Sequence, residues 1–213
     1  MSVRVVVLND PTVWAAALGS GEPGDHRSRG AFDRLCGDVK RRELLTDALV
    51  AGDVQEICDH PHYFPFLDCL RAVLLAFTRD AAVPGSCAAS GRCVPHPQLA
   101  GMGRGGRSFG SYPPCGTLPF RGLGSYVAPL CYLYPHPADV YPVFRELYVR
   151  HFCRLHVISD ETSPSPALPA LCRAFEDMIQ HAEPEVCFHL LQTGVPALRL
   201  AAGASTRLLS SST

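Results

Sequence analysis

Apolar residues recur along most of this chain at intervals of three and four, the spacing of an amphipathic helix. The longest nearly unbroken apolar and aromatic run is Gly122 to His156, GLGSYVAPLCYLYPHPADVYPVFRELYVRHFCRLH. It reads as two helices parted at Pro135-His136-Pro137, because proline interrupts the backbone hydrogen-bond ladder. Asp139 is placed to cap the second helix, and Pro142 falls in its first turn, where a missing N–H costs little. Val143, Phe144, Leu147, Tyr148, Phe152 and Leu155 form one stripe along it. Arg145, Glu146, Arg150 and Arg154 fall mostly on the other side as a solvent-facing set, with Glu146 and Arg150 an i,i+4 pair. The pattern makes this the central packing helix.

The same spacing predicts helices elsewhere. TVWAAALG is a short one closed by Gly19, and residues 20–31 read as a polar loop. One helix is expected from Phe32 to Ala51, ended by Gly52, and Asp53 then caps a shorter one to about Asp59. Residues 63–80 form a strong helix with Phe66, Leu67, Leu70, Val73, Leu74 and Phe77 inward. Residues 82–118 change character: they are rich in Gly, Pro, Ser and Arg and read as a long disordered loop. Past a loop at 159–166, a helix over 167–182 places Leu168, Leu171, Phe175, Met178 and Ile179 on one face. Another starts at Pro184 and stops at Gly194, and a last helical piece begins at Pro196. Residues 201–213 lose all pattern and read as an unstructured tail. Only residues 3–8, VRVVVL, carry strand propensity. The expected fold class is all-α.

Composition narrows the function. The chain has 213 residues, 47% hydrophobic and 18% charged, enough for one domain with a real core. A formal net charge of −1 lacks the basic footprint of a nucleic-acid or membrane-surface binder. No apolar stretch reaches bilayer length, so no direct membrane insertion is expected. The four-residue apolar run in MSVRVVVLND is too short for a signal peptide. The ten cysteines include no C-x-x-C, and Cys69, Cys131, Cys153, Cys172 and Cys187 sit in apolar helical patterns. Reduced thiols in a cytoplasmic protein are the simplest account.

Motifs for small-molecule chemistry are weak. Gly101, Gly103 and Gly106 satisfy G-x-G-x-x-G, without the strand and helix that a dinucleotide loop requires. Cys58, His60 and His62, and farther on Cys87, Cys93 and His96, lack the paired spacing of a zinc site. No metal and no cofactor are therefore expected. Asp47, Asp68, Glu146 and Glu176 lie on helix faces as solvated or paired carboxylates. Pattern alone leads to a helical interaction module.

Several segments in order go further. DPTVWAAALG, ELLTDALV, FLDCLRAVLLAFTRD, LPFRGLGSYVAPLCYLY, VFRELYVRHFCRLHVIS and CFHLLQTGVPALRL together resemble the TBC domain, the helical domain of GTPase-activating proteins for Rab GTPases. The resemblance covers residues 10–200, interrupted by 82–117. It implies a regulator of a Rab-family small GTPase in its GTP-bound form, not an enzyme with its own substrate. In that family an Arg finger from I-x-x-D-x-x-R neutralises charge on the γ-phosphate, and a Gln finger from Y-x-Q-G orients the attacking water. The matching stretches are Leu44-x-x-Asp47-x-x-Val50 and Pro119-Phe120-Arg121-Gly122. Val50 stands at the Arg position and Arg121 at the Gln position, so no catalytic residue is carried over. Asp47, Arg121 and Gly122 remain as positions that the resemblance places at the GTPase, and weak or absent activation is implied. A TBC domain also continues past PALRL with further helices, whereas this chain passes into AAGASTRLLSSST; an incomplete domain is the expectation. A non-catalytic helical module, and a small α/β nucleotide-binding enzyme built on VRVVVL and the glycine loop, stand as rivals.

Overall fold

The computed structural model describes residues 10–89, 113–153 and 167–194. It divides into two units, residues 1–153 and 154–213. Among the described residues the regular elements are all helical, as the apolar spacing predicted. Residues 3–8, the glycine motif at 101–106, and the segments 159–166 and 195–213 lie outside the described residues.

The first unit opens with α1 (Pro11–Leu18). Asp10 accepts from the Thr12 amide at 2.9 Å, and Gly19 closes the helix at φ 62°. Helix α2 (His26–Arg41) corrects the expected polar loop. The Asp25 carboxylate accepts from both the amide and the hydroxyl of Ser28, at 2.9 Å each, and a cap rather than apolar content starts the helix. The expected continuous helix over 32–51 is two helices. Helix α2 ends at Arg41, the chain extends at Arg42, and α3 (Asp47–Cys58) begins after a turn. Gly52 lies inside α3, and Asp53 is a buried residue of its middle rather than a cap. The break is held from outside by Arg79, which donates to the Arg42 carbonyl at 3.0 Å and grips Asp47.

A 3₁₀ turn (Phe64–Phe66) leads into α4 (Leu67–Arg79), where Leu70, Val73, Leu74 and Phe77 are wholly buried. Helix α5 (Val83–Ala89) corrects the start of the expected loop. Asp80 accepts from the Ala82 amide at 2.9 Å, and Val83 and Cys87 are buried. The first helix expected in the 122–135 run is instead two 3₁₀ turns, Leu123–Tyr126 and Ala128–Tyr132. Gly122 at φ 96° and Pro129 at the second turn's start prevent one continuous α-helix.

Helix α6 (Pro137–Leu147) continues as a π-helical turn (Tyr148–Phe152) and packs centrally, as its stripe predicted. Phe77 meets Phe144 and Tyr148 edge-on, with ring centroids 5.1 and 4.9 Å apart. His136, not Asp139, occupies the N-cap position. Asp139 turns inward and accepts from the Gly24 amide at 2.9 Å and from Arg29 Nη2 at 2.8 Å. Arg145 is not solvent-facing. It is mostly buried and donates to Asp80 at 2.8 Å, Glu146 at 2.7 Å and Ser86 at 2.7 Å. Arg154 lies outside the described residues.

The second unit contains α7 (Ala167–Ala182) and α8 (Pro184–Gln192), with Gly194 at φ 69° just beyond, close to the predicted bounds. Met178, Phe188 and Leu191 are exposed there. The described cysteines are free thiols. Cys131 and Cys153 are buried, while Cys69 and Cys187 are half-buried.

Candidate functional site

Helix α3 carries two of the four site positions singled out in the sequence, Asp47 and Val50, and has two opposite faces. Its inner face buries Val50, Val54 and Cys58, each no more than 3% exposed. Its outer face, one turn apart each time, presents Leu45 just before the helix and then Leu49, Gly52 and Glu56. Leu45 is 88% exposed and Leu49 49% exposed, unusual for leucines on a core helix. A Cβ added at Gly52 meets nothing within 4 Å.

Val50 belongs to the inner face at 1% exposure. Asp47, one turn earlier, is engaged by the Arg79 guanidinium through both oxygens, and its Oδ2 also accepts from the Leu44 amide at 3.0 Å. Burial works against the Asp47 carboxylate, but Arg79 and that amide outweigh it and hold the group below its ordinary acidity range. Asp47 thus ties the start of α3 to the end of α4.

Arg121 and Gly122 lie at the opposite end of α3. Asp47 and Glu56 are nine residues apart, about 14 Å along the axis. Arg121 is highly exposed and donates through Nε and Nη2 to the two oxygens of Glu56. Glu56 raises the Arg121 pKa by this forked hydrogen bond and by its charge. Gly122 donates its amide to Asp53 Oδ1, and Gly124 donates to Asp53 Oδ2 at 2.7 Å. Gly124 is pressed against α3 and α4: a Cβ there would stand 2.6 Å from Ile57 Cδ1 and 3.3 Å from Leu74 Cδ1. So Arg121 and Gly122 come together with Asp53 and Glu56, and Asp47 stands apart from them.

Asp53, Glu56 and Arg79 were missed as site residues in the sequence. A usable signal was present for the first two, an acidic pair three apart on one helix opposite a Gly-x-Gly whose amides need acceptors. Nothing local announces Arg79. Among the described residues no group of three or more His, Cys, Asp or Glu side chains could hold a metal ion. His60 and His62 stack on each other with ring centroids 5.1 Å apart. No described helix is long and apolar enough to cross a membrane.

No protein-family model matches the chain, and no solved structure matches it. Among curated proteins, TBC1 domain family member 19 of Homo sapiens is 37% identical over 190 residues, which is 88% of this chain and 35% of that protein. The chain therefore spans about a third of the length of the relative it matches.

Proposed function

We propose, from the similarity to TBC1 domain family member 19, that this chain binds a Rab-type small GTPase in the GTP-bound form and accelerates hydrolysis weakly or not at all. The observation that carries this reading is Val50, an apolar side chain 1% exposed at the position matching the Arg finger. Charge developing on the γ-phosphate needs a cation in contact, and a buried valine offers none. An Arg finger is worth on the order of 10³-fold or more, so its loss alone removes most stimulation. At the second finger Arg121 is an exposed fork on Glu56. A guanidinium has donors and no acceptor, so it cannot orient water as an amide does.

What remains supports recognition. Leu45 and Leu49 give an exposed apolar centre, and the Glu56–Arg121 pair gives a charged edge on the same side of α3. Asp47 and Gly122 serve this surface indirectly. Asp47 anchors the start of α3, and Gly122 supplies the left-handed turn that presents Arg121.

The test is binding of the whole chain to a panel of Rab GTPases, each loaded with GDP or a non-hydrolysable GTP analogue, followed by single-turnover hydrolysis. At least one GTPase is expected to bind roughly tenfold tighter in its GTP-like state, a normal size for two-state coupling. Hydrolysis is expected to rise less than about tenfold, for wild type and for Arg121→Gln alike, because the cation is missing in both. Binding indifferent to the nucleotide sinks this reading in favour of a plain interaction module. Stimulation near 10³-fold sinks the loss of catalysis.

A further inference from the structure

The cysteines of the first unit are not equivalent. Cys115 is buried among apolar groups, and burial pushes its thiol up to about 12, which makes it inert. Cys36 is half-buried, and burial raises its pKa too. Cys69 and Cys131 form a different arrangement. Their sulfurs are 3.6 Å apart although 62 residues separate them in the chain. Cys69 is half-buried in the first turn of α4, and Cys131 is buried in the 3₁₀ turn Ala128–Tyr132.

The Cys131 thiol has two acceptors 3.6 Å away, the Val127 carbonyl and, through a hydrogen bond across the pair, the Cys69 sulfur. That hydrogen bond favours the Cys69 thiolate and holds its pKa below the ordinary thiol value, while the same contact and burial push Cys131 far up. A half-buried thiol whose ionisation is favoured thus sits beside a buried partner thiol.

The two backbones that carry them are already fastened together. The Tyr132 hydroxyl donates to the His62 carbonyl at 2.6 Å, and the Tyr132 and Phe66 rings meet edge-on at 4.7 Å. Moving the sulfurs from 3.6 Å to bonding distance, about 2.05 Å, asks for roughly 1.5 Å of approach, within reach of side-chain rotation.

We propose that Cys69 and Cys131 are an oxidant-responsive dithiol that a hydroperoxide closes to a disulfide. The Cys69 thiolate attacks the peroxide oxygen, forming an S–O bond and releasing hydroxide, or alkoxide from an organic peroxide. The Cys131 sulfur then attacks Cys69, an S–S bond forms, and the S–O bond breaks. The departing hydroxide takes the Cys131 proton and leaves as water. Two thiols are oxidised and one hydroperoxide is reduced. Cys69 is the reacting thiol and Cys131 the resolving one.

The test treats the reduced whole chain with stoichiometric hydrogen peroxide, blocks the remaining thiols, and maps peptides by mass spectrometry. The expected product is a Cys69–Cys131 link, formed while Cys36 and Cys187 remain alkylatable. Cys131→Ser should halt at a Cys69 sulfenic acid that dimedone traps, and Cys69→Ser should leave Cys131 unmodified. Closing a loop of this length should raise the melting temperature on the order of 10 °C, reversed by dithiothreitol. The wild-type map does not depend on the variants folding. Oxidation of Cys36 or Cys187 ahead of Cys69, a Cys58–Cys131 link instead, or a bond that lowers the melting temperature each overturns the proposal.

Discussion

Restoring an arginine at position 50 is the substitution that a motif comparison suggests, and the structure predicts that it fails. Val50 is 1% exposed on the inner face of α3, alongside Val54 and Cys58. Asp47, the carboxylate one turn away, is already engaged by Arg79, and Asp53 accepts two amides. A guanidinium at position 50 would be buried, and both of these carboxylates are already engaged. Such burial costs about 4 kcal/mol or more, with overpacking added because Arg exceeds Val in volume. For a chain of this size that lowers the melting temperature by roughly 10 °C or more. Val50→Ala calibrates the site: two carbons lost at about 0.8 kcal/mol each, plus a cavity contribution, give about 2 kcal/mol. Leu49→Arg, one residue along on the exposed face, should stay within about 0.5 kcal/mol of wild type. The assay is thermal unfolding followed at 222 nm, paired with single-turnover GTP hydrolysis on whichever GTPase binds. A Val50→Arg chain that melts with wild type and stimulates hydrolysis by 10²-fold or more would refute the inward placement of position 50 and the reasoning built on it.

Two further outcomes test the packing around this helix. Gly124→Ala would put a Cβ 2.6 Å from Ile57 Cδ1 and 3.2 Å from Asp53 Oδ2, and should cost about 1–3 kcal/mol in denaturant unfolding, whereas Gly52→Ala, in open space on an exposed helix face, should gain about 0.5–1 kcal/mol. Equal effects at the two glycines would contradict the close approach of Gly124. Acid should destabilise the first unit through Asp47, held low by Arg79 and Leu44 against its burial, and Asp139, held low chiefly by Arg29. Both folded pKa values lie below the unfolded value near 3.8. The unfolded state therefore binds more protons as pH falls, so this stability is complete above that value and is lost as pH drops through the folded values. Melting temperature measured from pH 6 down to pH 2 should fall over the acid part of that range, and Asp47→Asn should flatten the slope; an unchanged slope would remove Asp47 from the account.

The parts of this fold legible in the sequence are those that rest on apolar spacing. The α4 core residues Leu70, Val73, Leu74 and Phe77 and the α6 residues Val143, Phe144 and Tyr148 are buried as their intervals require. What the spacing did not carry rests on long-range polar contacts. The break between α2 and α3 is held by Arg79, 37 residues beyond Arg42, and apolar periodicity runs straight across it. Asp53 resembles a helix start because it follows a glycine, yet its partners are the amides of Gly122 and Gly124, about 70 residues away. Asp139 and Arg145 were misread for the same reason: each has charged or polar partners on another element, Arg29 for one and Asp80 for the other. At the candidate site, motif spacing located Val50 and Arg121, but only the packing shows that one points inward and the other is tied to Glu56.

That difference bears on what the site can still do. Successive residues of an α-helix are 100° apart, so position 50 lies roughly 100° or more around α3 from the exposed line of Leu45, Leu49, Gly52 and Glu56. Turning it outward would rotate the whole helix. The rotation would withdraw Asp53 from Gly122 and Gly124, Asp47 from Arg79, and Val54 from the core. No side-chain rearrangement on partner binding supplies that, because the three anchors lie along the length of the helix and must release together. On the proposed reading, the loss of catalysis is therefore set by the packing of α3 as well as by the residue at position 50. The outer face holds none of those three anchors, so on the proposed reading it meets a partner while the inner face stays closed.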